Sequence, residues 1–208
     1  MARYTGPACR LCRRTGEKLF LKGERCYSPR CAVERRRKPP GEQTQRRRRV
    51  SEWGVQLREK QKASYTYGVL ERQFRGYFDE ARRKPGVTGQ FLLQLLERRL
   101  DNVVYRLGFA HSRDQARQWV LHGHFLVNEH KVDIPSYLVR EGDAVSWKES
   151  TKLKEFFKEI AAEAGRQTQT PWLSVDANTM TGKVVRLPGA DDLQTIIDTR
   201  LIVEHYSR

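Results

Sequence analysis

The sequence predicts an α+β protein: a metal-bearing N-terminal arm, a mainly helical region, and a helix-turn-helix unit followed by a small sheet. Three observations carry this. All four cysteines fall within the first 31 residues, apolar residues recur at helical spacing over roughly 51–122, and short strand-like runs punctuated by turn signals begin at residue 124. The 208 residues leave room for one or two domains.

The composition narrows the function classes. Charged residues make up 31% and hydrophobic residues 38%, with a net charge of +15. The apolar share is thin, so part of the chain is expected to owe its order to a partner. The 8 Phe, 8 Tyr and 4 Trp are nevertheless too many for a wholly disordered chain. No apolar run approaches the ~18 residues of a membrane span, and residues 1–6 lack the apolar core of a signal peptide, so a soluble cytoplasmic protein is expected.

The charge is concentrated in the arm. Residues 1–50 hold 16 basic and 4 acidic side chains, four fifths of the excess. Blocks such as Arg35-Arg36-Arg37-Lys38 and Arg46-Arg47-Arg48-Arg49 repel themselves and resist compact packing unless a polyanion neutralises them. The planar fork of arginine suits phosphate, which favours nucleic acid over the alternative of a solvated, solubilising tail.

Cys9, Cys12, Cys26 and Cys31 form C-x2-C-x13-C-x4-C, two close pairs separated by a loop, the pattern of a tetrahedral four-cysteine metal site. Zinc is the expected ion and an iron-sulfur cluster the alternative; two disulfides would need an oxidising compartment that nothing in the chain indicates. Arg10, Arg13, Arg14, Arg25 and Arg30 are expected to lower the thiol pKa values. The role is structural, because four thiolates leave no open position for a catalytic water and the arm has little core of its own.

Beyond a Pro-Gly linker at 38–42, Ser51 caps a helix over 51–63. A second helix is expected over 70–83, with Leu70, Phe74, Tyr77, Phe78 and Ala81 on one side, and a third over 89–107, where leucines and valines follow a 3-4 repeat up to Gly108. Ser112 to Gln115 reads as a capping box opening a helix to about 122. Strands follow at 124–127, 131–133 and 144–148, then an amphipathic helix over 152–164, a linker, strands at 183–187 and 201–206, and a helical turn opened by Asp191-Asp192.

Basic residues on defined faces mark a specific nucleic-acid surface. Candidate phosphate contacts are Arg35, Arg36, Arg37, Lys38, Arg46, Arg47, Arg48, Arg49, Arg58, Lys60 and Lys62, while Arg99, Arg106, Arg113 and Arg117 orient the helix-turn-helix unit. Trp53, Tyr65 and Tyr67 are read as packing residues in preference to base-stacking ones.

The stretch from Leu96 to Phe109, with Ser112-Arg113 and Gln115-Ala116-Arg117-Gln118 after it, resembles the signature of the bacterial small-ribosomal-subunit protein-four family. Arg3-Tyr4, Gly6-Pro7, Cys9-Arg10, Cys12-Arg13-Arg14 and Gly23-Glu24-Arg25-Cys26 are similar to that family's zinc-bearing N-terminus. Further matches at Arg58-Glu59-Lys60-Gln61-Lys62, Glu71-Arg72-Gln73-Phe74-Arg75, Pro171-Trp172-Leu173 and Leu201 to Ser207 extend the likeness over nearly the whole chain. The resemblance implies a primary binder of small-subunit ribosomal RNA that acts at a junction in the 5′ domain, nucleates assembly and supports decoding accuracy. Implied partners are the subunit's fifth protein and messenger RNA where it enters. The implied organisation is an arm over 1–45, a helical domain over 46–97 completed by 183–208, and an inserted RNA-binding module with its following helix and linker over 98–182. Many relatives have Asn-Gly where this chain has Asn128-Glu129, so a longer or bulged turn competes with a type I′ turn. Some relatives lack the cysteines.

An RNA-modifying enzyme is the runner-up, since similar modules are appended to such enzymes. The chain has no phosphate-cradling glycine loop and no G-x-S-x-G, and little length remains for a catalytic domain; it is therefore read as no enzyme. A zinc-containing DNA regulator would need a reading helix and a dimer element, and neither is recognisable.

Overall fold

A computed structural model describes residues 4–36, 38–41, 50–155, 157–158, 160, 170–176, 179–192 and 197–207. In chain order the helices and strands are α1 (Ala8–Thr15), α2 (Ala32–Arg35), α3 (Glu52–Thr66), α4 (Glu71–Arg82), α5 (Thr88–Glu97), α6 (Leu100–Arg106), α7 (Arg113–Leu121), β1 (Phe125–Val127), β2 (His130–Lys131), β3 (Ala144–Trp147), α8 (Glu149–Lys152), β4 (Leu173–Asp176), β5 (Thr181–Val184) and α9 (Thr199–Ser207). Short 3-10 turns lie at Gly23–Cys26 and Ala190–Asp192. The chain divides into two compact units, Met1–Leu92 with Thr195–Arg208, and Leu93–Gln194. The arm thus falls in the same unit as the helices after it.

In the first unit, α3 starts where the Ser51 hydroxyl accepts the Gly54 amide at 3.2 Å. Helix α4 buries Phe74, Phe78 and Ala81. Gly76 lies inside the unbroken helix, at a typical disadvantage of about 1 kcal/mol against alanine. The strand expected at 201–206 is instead part of α9. The Asp198 carboxylate accepts the Arg200 amide at 2.9 Å and starts the helix, and packing decides the rest. Ile202 is fully buried, Gln56 of α3 donates to Glu204 at 3.1 Å, and the Tyr206 ring lies 4.6 Å from Phe78. Tertiary burial overrides the strand propensity of Leu201-Ile202-Val203.

In the second unit, a five-stranded antiparallel sheet has the order β2-β1-β3-β5-β4. Strand β4 is absent from the sequence reading, and β5 lies earlier than 183–187. Trp147 anchors the core, its ring 4.4 Å from Phe125, 5.6 Å from Trp119 and 5.8 Å from Phe109. Gly182 in β5 is needed because a Cβ there would meet the Leu107 side chain at 2.4 Å. The helix expected over 89–107 is broken between α5 and α6. Arg98 and Leu100 leave the helical ladder to bond the segment at 137–139, with Leu100 N to Tyr137 O at 2.8 Å and Val139 N to Arg98 O at 3.0 Å. The hairpin between β1 and β2 has a two-residue loop, since Val127 pairs with His130. Asn128 and Glu129 both take positive φ, 49° and 67°, so the turn is neither longer nor bulged despite the missing glycine. Of the helix expected over 152–164, Lys152 ends α8, Leu153 and Lys154 form a turn, and Glu155, Phe157, Lys158 and Ile160 are helical, while 156, 159 and 161–169 lie outside the described residues.

Candidate nucleic-acid interface and thiol cluster

The thiols sit at the joints of the arm. Cys9 and Cys12 lie on α1, which Gly16 terminates with φ 84°, its amide donating to Cys12 O at 2.9 Å. Cys26 ends the 3-10 turn and Cys31 precedes α2. Cys12, Cys26 and Cys31 are buried, Cys9 is half-buried, and all four are free thiols. The Lys22 amide donates to the Cys26 sulfur at 3.3 Å. Each of Cys9, Cys26 and Cys31 acts electrostatically on Cys12, so the four share one neighbourhood. Burial pushes the Cys12 and Cys26 thiols up, which corrects the expectation that flanking arginines lower them. Lys18 acts downward on Cys26, but less than burial acts upward. Arg13 points elsewhere, donating to Lys38 O at 2.9 Å. Among the described residues no group of three or more His, Cys, Asp or Glu side chains is disposed to hold a metal ion.

The expected phosphate contacts separate into two populations. Arg35, Arg36, Lys38 and Arg58 are exposed. Arg35 also lines a cleft of about 540 Å³ with Glu24, Arg25, Ser28 and Arg30. Arg37 and Arg46, Arg47, Arg48 and Arg49 lie outside the described residues. Lys60 and Lys62 are buried, against expectation. Lys60 pairs with Glu71, and Lys62 bridges Glu59 at 2.7 Å and Glu17 at 3.0 Å, tying the arm to α3. Burial would lower the Lys62 ammonium, but hydrogen bonds to Glu59 and Glu17 outweigh it and raise its pKa.

In the second unit, Arg99 and Arg117 face inward and not toward solvent. Arg99 is fully buried and grips Asp101 with two bonds, 3.1 and 2.7 Å. Arg117 donates to the same carboxylate at 2.9 Å. Arg106 makes a similar fork on Glu97, 3.0 and 2.7 Å. Asn102 links the two halves: its amide donates to Glu97 at 2.7 Å and its carbonyl accepts Arg113 at 2.7 Å. The Arg113 guanidinium also lies over the Tyr105 ring at 4.5 Å. Sequence spacing placed these arginines on common faces, but the buried acids that capture Arg99 and Arg117 turn those faces inward. Within this network, Arg106 and Arg113 retain partial exposure.

Sequence reading missed a set of basic residues on α4. Arg72, Arg75, Arg82 and Arg83 are exposed and have no ion pair among the described residues. The signal was available as the polar counterpart of the Phe74-Phe78-Ala81 stripe. Another overlooked feature is on the arm, where Phe20, at φ 51°, stacks on Tyr27 with centroids 5.1 Å apart while Tyr27 remains 72% exposed.

Comparison with known families divides the chain at the α5–α6 break. Residues 3–97 match the ribosomal protein S4/S9 N-terminal domain, and residues 98–145 match the S4 domain. The chain belongs to the ribosomal protein S4 family. Similar relatives share its full length: small ribosomal subunit protein uS4 of Heliobacterium modesticaldum is 58% identical over 208 residues, covering all of both chains. Protein uS4A of Symbiobacterium thermophilum is 60% identical and uS4 of Halothermothrix orenii 57%, each again over the whole of both chains. The S4-domain match begins at the residues that leave the α5 ladder. The sheet, however, continues past residue 145 through β4 and β5.

Proposed function

We propose that this chain is a structural, non-enzymatic constituent of the bacterial small ribosomal subunit that binds its ribosomal RNA, as the name of its full-length relatives indicates. The observation that carries the reading at the level of residues is the sorting of charge. Cations of the S4 domain are spent on internal acids, whereas Arg35, Arg36, Lys38 and Arg58 are left facing solvent. The domain network combines Arg99, Arg106, Arg113 and Arg117 with Glu97 and Asp101 and so keeps a positive excess. Its solvent-reaching members, Arg106 and Arg113, are the ones assigned to phosphate, and Arg99 and Arg117 position them. RNA is then recognised chiefly by shape, through backbone and 2′-hydroxyl contacts.

The finer role is nucleation of the 5′ domain, support of decoding accuracy, and contact with the subunit's fifth protein and with messenger RNA as it enters; the motif resemblance supports each. Cys9, Cys12, Cys26 and Cys31 are proposed to hold zinc, with an iron-sulfur cluster as the other four-thiolate option. The donor chemistry fits: four free thiols, three of them buried, and an amide donating to one sulfur. A bound ion would supply a cross-link in a segment with few buried side chains. Four thiolates and a divalent cation would reduce the formal +15 to about +13.

Binding of the purified chain to a transcript of the 5′ domain, against unrelated RNA and duplex DNA, tests the RNA role. A clear preference for the transcript is expected, and equal affinity for all three would refute specificity. Metal analysis of the same preparation tests the arm: stoichiometric zinc or iron with protected thiols is expected, while freely reactive thiols without metal would refute the site.

A further inference from the structure

We propose that metal occupancy of the thiol cluster controls how firmly the C-terminal helix α9 is docked, through a relay formed by Glu17, Lys62 and Glu59. The proposal rests on the metal-binding reading of the four cysteines above and gives that site a regulatory output inside the first unit.

The relay starts at Cys12. The loop after α1 is fastened to that residue at both ends: the Gly16 amide donates to Cys12 O at 2.9 Å, and the Leu19 amide donates to the Cys12 sulfur. Lys18 of the same loop pairs with Glu34, three residues beyond Cys31, so the second cysteine pair holds it as well. Glu17 lies in the middle of this loop, and its position follows from how the two cysteine pairs are held together. An ion shared by four thiolates would fix that arrangement, and an amide bonds a thiolate more strongly than a thiol.

From Glu17 the contacts run without a gap to α9. Both Glu17 oxygens accept from the Lys62 ammonium, at 3.0 and 3.1 Å. The Lys62 side chain is 4% exposed and also pairs with one Glu59 oxygen at 2.7 Å. The other Glu59 oxygen accepts the Asp198 amide at 3.2 Å, and the Asp198 carboxylate accepts the Arg200 amide that starts α9. Two carboxylates thus share one buried ammonium, and one of them also holds the entry to α9. If Glu17 withdraws with a loosened loop, the ammonium draws harder on Glu59, which then serves Lys62 at the expense of Asp198.

Hydrogen exchange of the full chain, loaded with zinc or stripped by a chelator under reducing conditions, reads the docking of α9 through the amides of 199–207, with those of β1 and β3 as control. Removing zinc is expected to speed exchange in α9 about fivefold or more and to leave β1 and β3 unchanged. Glu17→Gln and Glu59→Gln should each abolish that response, their zinc-loaded forms exchanging at α9 as the stripped unaltered chain does. Coupling is reciprocal, so Glu59→Gln, a change on α3 and not on the arm, should also weaken zinc binding by the same factor in competition with a colorimetric chelator. A purely structural role for Glu59 would leave zinc affinity unmoved and overturn the proposal. It is equally overturned if the chain binds zinc and α9 exchanges alike with and without it, if both variants keep the response, or if β1 and β3 accelerate to the same extent. A chain that takes up no zinc refutes the metal-binding reading itself, and the relay falls with it.

Discussion

Asp101 is the residue on which the S4 domain's internal charge depends. It accepts from Arg99 and Arg117, both buried, at 2.7 and 2.9 Å, and its side chain also accepts the Asn102 backbone N–H at 2.9 Å. Asp101→Asn keeps the shape and removes the charge, leaving two buried cations without their acid. Loss of about 3–5 kcal/mol is expected in urea denaturation of the full chain. A loss below about 1 kcal/mol would show that water or another acid takes over. Truncating Arg113 at the edge of the same network should act differently, weakening RNA binding and the salt slope more than the fold.

At the level of elements, the legible parts were those whose signals are local. Ser51 and Ser112 cap α3 and α7 as their side chains announce, accepting from Gly54 and Gln115. Elements fixed by distant partners were not legible. The 3-4 repeat runs on through Arg98 and Arg99, but hydrogen bonds to residues about 40 positions away break the helix there. Leu201-Ile202-Val203 carries strand propensity and becomes helical as Ile202 is buried and the flanking Asp198 and Glu204 bond Glu59 and Gln56 of α3. The candidate site shows the same limit: periodicity grouped Arg99 with Arg106, but in the fold Arg99 is fully buried on Asp101 while Arg106, forked on Glu97, keeps partial exposure. The β1–β2 turn gives an element-scale prediction. Glu129 sits at φ 67°, a conformation that disfavours residues with a Cβ. Glu129→Gly is expected to stabilise the chain by on the order of 1 kcal/mol in denaturant titration. A destabilised variant would mean that the Glu129 side chain contributes more than its backbone strain removes.

For the whole molecule, acid and alkaline stability are coupled through one contact between α4 and α9. Burial alone would raise the Glu71 carboxyl, but hydrogen bonds from Lys60 and Tyr206 outweigh it and hold it below the ordinary carboxylate range. Its contribution is therefore full above the unfolded value near ~4.3 and is lost as pH falls through the lower folded value. Tyr206 is raised, first by burial and then by Glu71. That contribution is full below the unfolded value near ~10 and is lost as pH rises beyond it. Glu71→Gln is expected to flatten the acid limb of a stability–pH curve measured from pH 3 to 7. The change should stay under about 1 kcal/mol because the Glu71 side chain is 56% exposed. An acid limb as steep as that of the unaltered chain would place the proton uptake elsewhere.

The position of α9 also constrains when the first unit can be completed during synthesis. Phe74 and Phe78 emerge from the translating ribosome more than a hundred residues before Tyr206, the ring that covers them. The sheet of the second unit needs nothing beyond residue 184, so it can close while the first unit still waits. A chain released early therefore displays a finished S4 domain beside an open aromatic core, a state that favours aggregation or proteolysis over incorporation into a subunit.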